Sequence, residues 1–271
     1  MKNQPHKCTA TKRVIGALLC AALLVTGNAA WAAQVAGVVA RLSGPLLAKK
    51  TDGSVKVLGL KSEIESGDTL VSEKNTYAQI KFIDNSEITL RPGTTFKVEN
   101  FSFDEGKPEA DNASYSLVKG GLRSITGLMG KRNKEKFSLK TPTATIGIRG
   151  TIFIVEYVPV PMPGAPLGQK VPRGPDGPAL PGVAPKTPLA PGLHLSVSDG
   201  AIIVTNIGGS LGFQAGQFGY VPSQSLPPVI VPNNPGILFT PPPSFNVSAP
   251  GGGPEAGNGI GKTNEVDCVV R

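Results

Sequence analysis

Thr76-Tyr-Ala-Gln-Ile-Lys-Phe82, then Ile83-Asp-Asn-Ser86, then Glu87-Ile-Thr-Leu90, is the stretch that sets the fold class of this 271-residue chain. Ala78, Ile80 and Phe82 recur at period two, which puts them on one face of a half-buried strand, with Tyr77 out of phase. Asp84-Asn85-Ser86 has the composition of a turn, and asparagine tolerates the left-handed geometry that a tight reversal needs. Ile88 and Leu90 then restart the alternation. The unit reads as a β-hairpin with one face in a core.

The same text appears twice more. Ser116-Leu-Val118 runs through Lys119-Gly120-Gly121 into Leu122, and Leu195-Ser-Val197 runs through Ser198-Asp199-Gly200 into Ala201-Ile-Ile-Val204. Both are predicted as tight turns between short strands. No long amphipathic helix is visible after Ala33, so the chain is expected to be all-β, a solenoid-like fold or a distorted sandwich.

Proline divides the rest. Eleven prolines fall in residues 159 to 191, too many missing donors for a sheet interior. Residues 159–192 are therefore an extended Pro/Gly-rich loop between two β blocks, 33–158 and 193–221, and residues 222–271 are a Pro/Gly-rich tail without regular structure apart from short apolar touches such as Val229-Ile-Val231.

The first 32 residues read as a signal peptide. Lys2, Lys7, Lys12 and Arg13 precede the apolar run Val14 to Val25, and Ala30-Trp31-Ala32 is a small-residue cleavage site, so the mature chain is expected to begin at Ala33. The apolar run is too short for a spanning helix, and the bulky Leu19 before Cys20 argues against a lipid anchor. A periplasmic or secreted product follows, with no membrane-spanning segment. Loss of the four signal-peptide cations halves the formal charge of +8, which removes the case for a nucleic-acid partner. Cys8 and Cys20 leave with the signal, so Cys268 has no partner within the chain.

Residues 141 to 153, Thr-Pro-Thr-Ala-Thr-Ile-Gly-Ile-Arg-Gly-Thr-Ile-Phe, place Arg149 in an otherwise apolar, β-prone run. A charge buried there alone would cost several kcal/mol, so pairing with an inward carboxylate such as Asp84 or Glu87 is expected. Gly150 permits a bulge or a close backbone approach. The Thr-Pro-x-Ala run followed by Arg-Gly-Thr-x-Phe resembles the core motif of the FecR-type periplasmic domain, the sensor half of iron-uptake transmembrane regulators. Val35 to Gly44 resembles its first strand and turn, Ser66 to Leu70 its Gly-Asp turn, Ala78 to Leu90 its central hairpin, and Leu195 to Val221 the segment that completes it. The resemblance covers most of residues 35–158 and 193–221. It implies a single β domain in which Thr141, Pro142, Ala144, Arg149, Gly150, Thr151 and Phe153 serve the fold. The regulators carry a cytoplasmic anti-sigma segment and a transmembrane helix where this chain has its signal, so direct control of a sigma factor is not expected.

Catalytic chemistry finds little to use. His194 is the single mature imidazole, on the edge of a predicted strand, and no G-x-S-x-G elbow precedes a predicted helix. One histidine and one cysteine cannot make a zinc site, and Asp104, Glu105, Glu109 and Asp111 lack the spacing of a calcium loop and read as a solvated acidic loop. Ala256 to Thr263 imitates a phosphate loop but lacks the strand before it and the helix after it. No nucleotide, metal or cofactor is expected. The basic cluster Lys131, Arg132, Lys134, Lys136 and Lys140, preceded by Arg123, is the binding candidate, suited to an anionic glycan or lipid surface.

These readings converge on an exported, non-enzymatic binding or scaffold module whose partner is an envelope protein or an anionic envelope surface. Two alternatives come from other classes: a component of receptor-coupled transmembrane signalling, which the resemblance implies as FecR-type regulation of a sigma factor, and an envelope glycan hydrolase with an unrecognised carboxylate pair.

Overall fold

The structure is a computed structural model that describes residues 34–160, 189–237 and 239–245. The signal peptide at 1–32, most of the Pro/Gly-rich loop, the phosphate-loop-like run at 256–263 and Cys268 lie outside the described residues. Strands follow in the order β1 (Val35–Leu42), β2 (Leu46–Lys49), β3 (Val55–Leu58), β4 (Glu63–Glu65), β5 (Thr69–Ser72), β6 (Ala78–Phe82), β7 (Glu87–Leu90), β8 (Thr95–Ser102) and β9 (Asn112–Ile125). After the short helix α1 (Leu128–Arg132) come β10 (Phe137–Lys140), β11 (Thr145–Ile148), β12 (Ile152–Val158), β13 (Gly192–Asp199), β14 (Ala201–Asn206), β15 (Gly209–Gln214), β16 (Phe218–Val221) and β17 (Val229–Val231). All seventeen join one hydrogen-bonded sheet that does not close. The fold is all-β, as the alternation predicts.

Strand β9 folds that sheet in two. Its first part pairs with β8 and runs parallel to β10, and its second part, from Gly120 onward, pairs with β7 and β12. Gly120 has φ +84°, and a Cβ on Gly121 would stand 2.9 Å from the carbonyl oxygen of Val155. Side chains at these two positions would be strained or obstructed. Lys119-Gly120-Gly121 is therefore a bend within one strand that changes layer, and not the predicted hairpin turn. Ser198-Asp199-Gly200 is likewise a corner, since β13 and β14 lie in different layers. A reversal and a change of layer both call for a glycine at positive φ, so local sequence does not separate them.

The first layer runs β4-β1-β6-β7-β9-β12-β13-β16-β17 and the second β3-β2-β5-β8-β9-β10-β11-β14-β15. Their inner faces meet through aromatic rings. Phe82 of the first layer lies 5.0 Å from Phe101 and 5.3 Å from Tyr115 of the second, and Phe153 meets Phe137 edge-on at 6.4 Å. Each such ring stabilises the sandwich by about 1.5–3 kcal/mol through burial. The β6–β7 hairpin forms as predicted, with Ala78 opposite Leu90, Ile80 opposite Ile88 and Asn85 at φ +61°.

Val229–Val231, the apolar touch expected in the tail, pairs with β16 as an edge strand. Beyond it the tail departs from its composition and lies back over the outer face of the first layer. Ile237 is buried. Tyr77 meets Phe239 and Phe245 edge-on at 6.1 and 6.2 Å, and Arg41 Nη1 donates to the carbonyl of Phe245 at 3.1 Å. Residues 232–237 and 239–245 thus form a strap where the proline content predicted none, because three apolar side chains, Ile237, Phe239 and Phe245, anchor it.

Candidate functional site

The segment that ends at Arg149 is built by its own threonines. Thr141 N–H donates to the carbonyl of Ala144 at 2.8 Å, and the Thr141 hydroxyl donates to that same oxygen at 2.8 Å while accepting the amide of Ala144 at 3.0 Å. Pro142 sits in this turn, where its fixed φ suits the reversal, and Ala144 enters the core. At the far end of β11 the chain crosses from the second layer to the first through Arg149-Gly150-Thr151, with Gly150 at φ +70°. The amide of Arg149 and the hydroxyl of Thr151 both donate to the carbonyl of Ala201, at 2.8 and 2.6 Å. Thr126 completes the corner, its hydroxyl donating to the carbonyl of Thr151 at 2.8 Å and accepting its amide at 2.9 Å. Phe153 follows, fully buried. Every motif residue except the arginine is thereby used by the fold.

The Arg149 side chain is exposed, and it makes no ion pair among the described residues. Its expected partners are engaged elsewhere. Asp84 Oδ1 accepts the amide and the hydroxyl of Ser86 at 3.0 and 2.6 Å, and Glu87 accepts the side-chain amide of Gln79 at 2.8 Å. The phase of the strand turns Arg149 outward. Ile146 and Ile148 point into the core, so Thr145, Gly147 and Arg149 take the outward phase of the same strand.

Arg149 borders a depression of about 480 Å³ between the 3₁₀ turn Lys134–Lys136 and the outer faces of β11 and β14. Lys134, Glu135, Phe137, Thr145 and Thr205 line it with Arg149. Two cations and two hydroxyls against one carboxylate suit an anionic, hydroxyl-bearing ligand. Sequence reasoning missed Thr145 and Thr205. Their outward phase opposite the buried Ile146 and Val204 was the available signal.

The basic candidates separate. Lys134 joins the depression, and Lys131 and Lys136 are exposed nearby. Arg132 is committed to Asp111, with Nε and Nη2 donating at 2.8 and 2.7 Å. Asp111 is therefore a buried, paired group and not part of a solvated acidic loop; Asp104, Glu105 and Glu109 are exposed as expected. Lys140 pairs with Glu99 at 2.9 Å on the outer face of the second layer. Arg123 lies on the opposite outer face, lining a pocket of about 240 Å³ beneath the strap with Gln79, Thr89 and Phe245. One run of sequence does not make one patch here.

His194 lies on β13, 4% exposed, with Nε2 at 2.7 Å from the carbonyl of Ala190 and its ring stacked on Tyr220 at 4.7 Å. Its register partner on β12, Glu156, is ion-paired with Arg91. Burial drives the Tyr115 hydroxyl well above its ordinary range, with the Asp84 charge adding and a hydrogen bond to Ser86 opposing. Among the described residues no three His, Cys, Asp or Glu side chains gather as a metal site, and no helix is long and apolar enough to cross a membrane.

Residues 68–159 match the family described as FecR protein. Among solved structures, the chain is similar to a protein provisionally assigned as an anti-sigma factor from Parabacteroides distasonis ATCC 8503, at 13% identity and TM-score 0.39. The similarity covers 60% of this chain and 58% of that one, so the chain spans little more than half of its length. A cell surface anchoring domain is similar at 21% identity and TM-score 0.23, over 23% of this chain and 82% of that domain. No curated protein matches.

Proposed function

With a FecR domain at residues 68–159, we propose that this chain is an exported, non-enzymatic binding module of the FecR type, in a signalling-related or scaffolding role at the envelope. Its contact site is the depression on the outer face of the second layer, and its ligand is an anionic envelope component. One observation carries the reading: the charged side chain of the motif is exposed beside Lys134 and makes no ion pair among the described residues, while every other motif residue is consumed by the fold. A guanidinium with free donors is suited to a carboxylate or phosphate. The non-enzymatic reading draws support from His194, whose Nε2 is tied to the main-chain carbonyl of Ala190 and whose ring is stacked on Tyr220.

Binding of the full chain to isolated envelope material tests this. Arg149→Met and Lys134→Ala should weaken binding and leave the unfolding midpoint unchanged. A lowered midpoint with binding intact would return Arg149 to the structural groups and remove the site.

A further inference from the structure

The outer face of the second layer carries a straight register row that ends in this depression. Lys49 on β2 stands opposite Thr69, Thr69 opposite Lys97 on β8, Lys97 opposite Ser116, and Ser116 opposite Lys140 on β10. The row continues through Thr145 and Thr205, both of which line the depression. All three lysines are exposed. They fall on every second strand with a hydroxyl between each pair, and neighbouring strands lie about 4.8 Å apart, so the cations recur at about 9.6 Å.

Beside the first lysine the face turns apolar. Leu47 lies opposite Val57 on one side and Val71 on the other, and Val57 is 75% exposed. Glu99 stands on the same face, held by Lys140 at 2.9 Å and by the hydroxyl of Ser114 at 3.3 Å.

We propose that this face binds a linear acidic polysaccharide laid across the strands, with one acidic group per repeat meeting Lys49, Lys97 and Lys140 in turn and its end group in the Arg149 depression. The proposal rests on the reading of that depression as a contact site, and it names the ligand class. Single-file cations match a charged polymer, whereas an anionic bilayer attracts a basic patch whatever its order. Thr69 and Ser116 supply donors and acceptors for sugar hydroxyls between the charges. Leu47, Val57 and Val71 offer a surface for the apolar faces of sugar rings. The strands are hydrogen-bonded on both sides along this row, so the spacing is fixed before the ligand arrives.

The test uses the full chain and hyaluronan oligosaccharides, which carry one carboxylate per disaccharide, in a series of increasing length. Affinity should rise with each added disaccharide until the distance from the depression to Lys49 is spanned. Lys49→Ala and Lys97→Ala should each weaken the long oligomers roughly two- to fivefold, as exposed charge pairs do, and leave a single disaccharide unaffected. Lys81→Ala, an exposed lysine of the first layer, should change nothing. Glu99→Gln should strengthen long-chain binding, because a competing carboxylate leaves the face. Length-independent affinity, or lysine variants that bind like wild type, would overturn the proposal. So would binding of phosphatidylglycerol vesicles without binding of hyaluronan. If Arg149→Met alone weakens binding, the contact site stands and the row does not. If neither set of variants changes binding, both fall.

Discussion

Arg132 and Asp111 face each other as a fork, guanidinium Nε and Nη2 on carboxylate Oδ2 and Oδ1 at 2.8 and 2.7 Å. The carboxylate is buried, 2% exposed, and the amide of Asn133 donates to it at 2.8 Å. The rest of the guanidinium is also used. It donates to the carbonyls of Asp104 and Glu105 at 2.6 and 3.1 Å and lies over the Phe103 ring at 4.6 Å. This arginine ties the end of α1 to the approach to β9, in the middle of a run that sequence reads as one basic patch.

Removing Arg132 should therefore cost stability and not binding. Arg132→Ala strands a buried carboxylate and should lower the unfolding midpoint. The effect should also depend on pH with a definite sign. Hydrogen bonds from Arg132 hold the Asp111 carboxyl below its usual range, with burial opposing and Asn133 assisting. A carboxyl depressed in the folded state contributes stability above its unfolded pKa, and that contribution is lost as pH falls through the folded one. Wild type should thus lose part of its stability below about pH 4, and Asp111→Asn should show a flatter acid limb. Unfolding titrations at several pH values would show this, and identical acid limbs would contradict it.

The corner after β11 predicts a contrast between neighbours. Thr151 is buried, and its hydroxyl serves the carbonyl of Ala201 at 2.6 Å. Thr151→Val keeps the shape and removes the hydrogen bond, which should destabilise the domain by about 1–2 kcal/mol. Arg149→Met, two residues away and exposed, should stay within about 0.5 kcal/mol of wild type. Chemical denaturation of both variants decides it; equal losses would mean that the arginine supports the corner.

Much of this fold is legible in the sequence, because period two names the inward side chains whatever the topology. Ala78, Ile80, Phe82, Ile88 and Leu90 are all buried. The same rule applied to Ile146 and Ile148 would have turned Arg149 outward. The cost of burying a charge calls for a partner only where the phase of the strand turns that charge inward, and here it does not. What the pattern does not carry is pairing over distance. Gly120 and Gly200 look like hairpin glycines, and only the strands they join, far apart in sequence, make them corners between layers. The lysine row is similar, since Lys49, Lys97 and Lys140 line up only once the register is known.

Gly127 carries a steric prediction. A Cβ there would stand 2.6 Å from Asp84 Oδ2 and would also strike the main chain of Asp84 and Ser86. The same contact is fastened by the amide of Leu128, which donates to the carbonyl of Asp84 at 2.8 Å. Gly127→Ala should push the β6–β7 turn off α1 at a cost of at least about 2 kcal/mol. Gly147→Ala, where a Cβ meets nothing within 4 Å, should be nearly silent. Similar midpoints for the two variants would show that the turn shifts without penalty.

The strap over the first layer should open independently of the sandwich beneath it. Its anchors are Ile237 and the rings of Phe239 and Phe245 against Tyr77, whereas the layer it covers is held by its own ladders and by the inner core. Regions with few buried contacts open locally, at free energies well below that of global unfolding. Phe245→Ala removes one edge-on ring pair, worth about 0.5–1.5 kcal/mol beyond its buried area. Protease cleavage within residues 232–245 should then accelerate while the main unfolding transition keeps its midpoint. The open state would also uncover Arg123, which makes no ion pair among the described residues. Its response to a small dicarboxylate should strengthen in the variant. A fall in the global midpoint in step with the faster cleavage would instead make the strap a cooperative part of the domain.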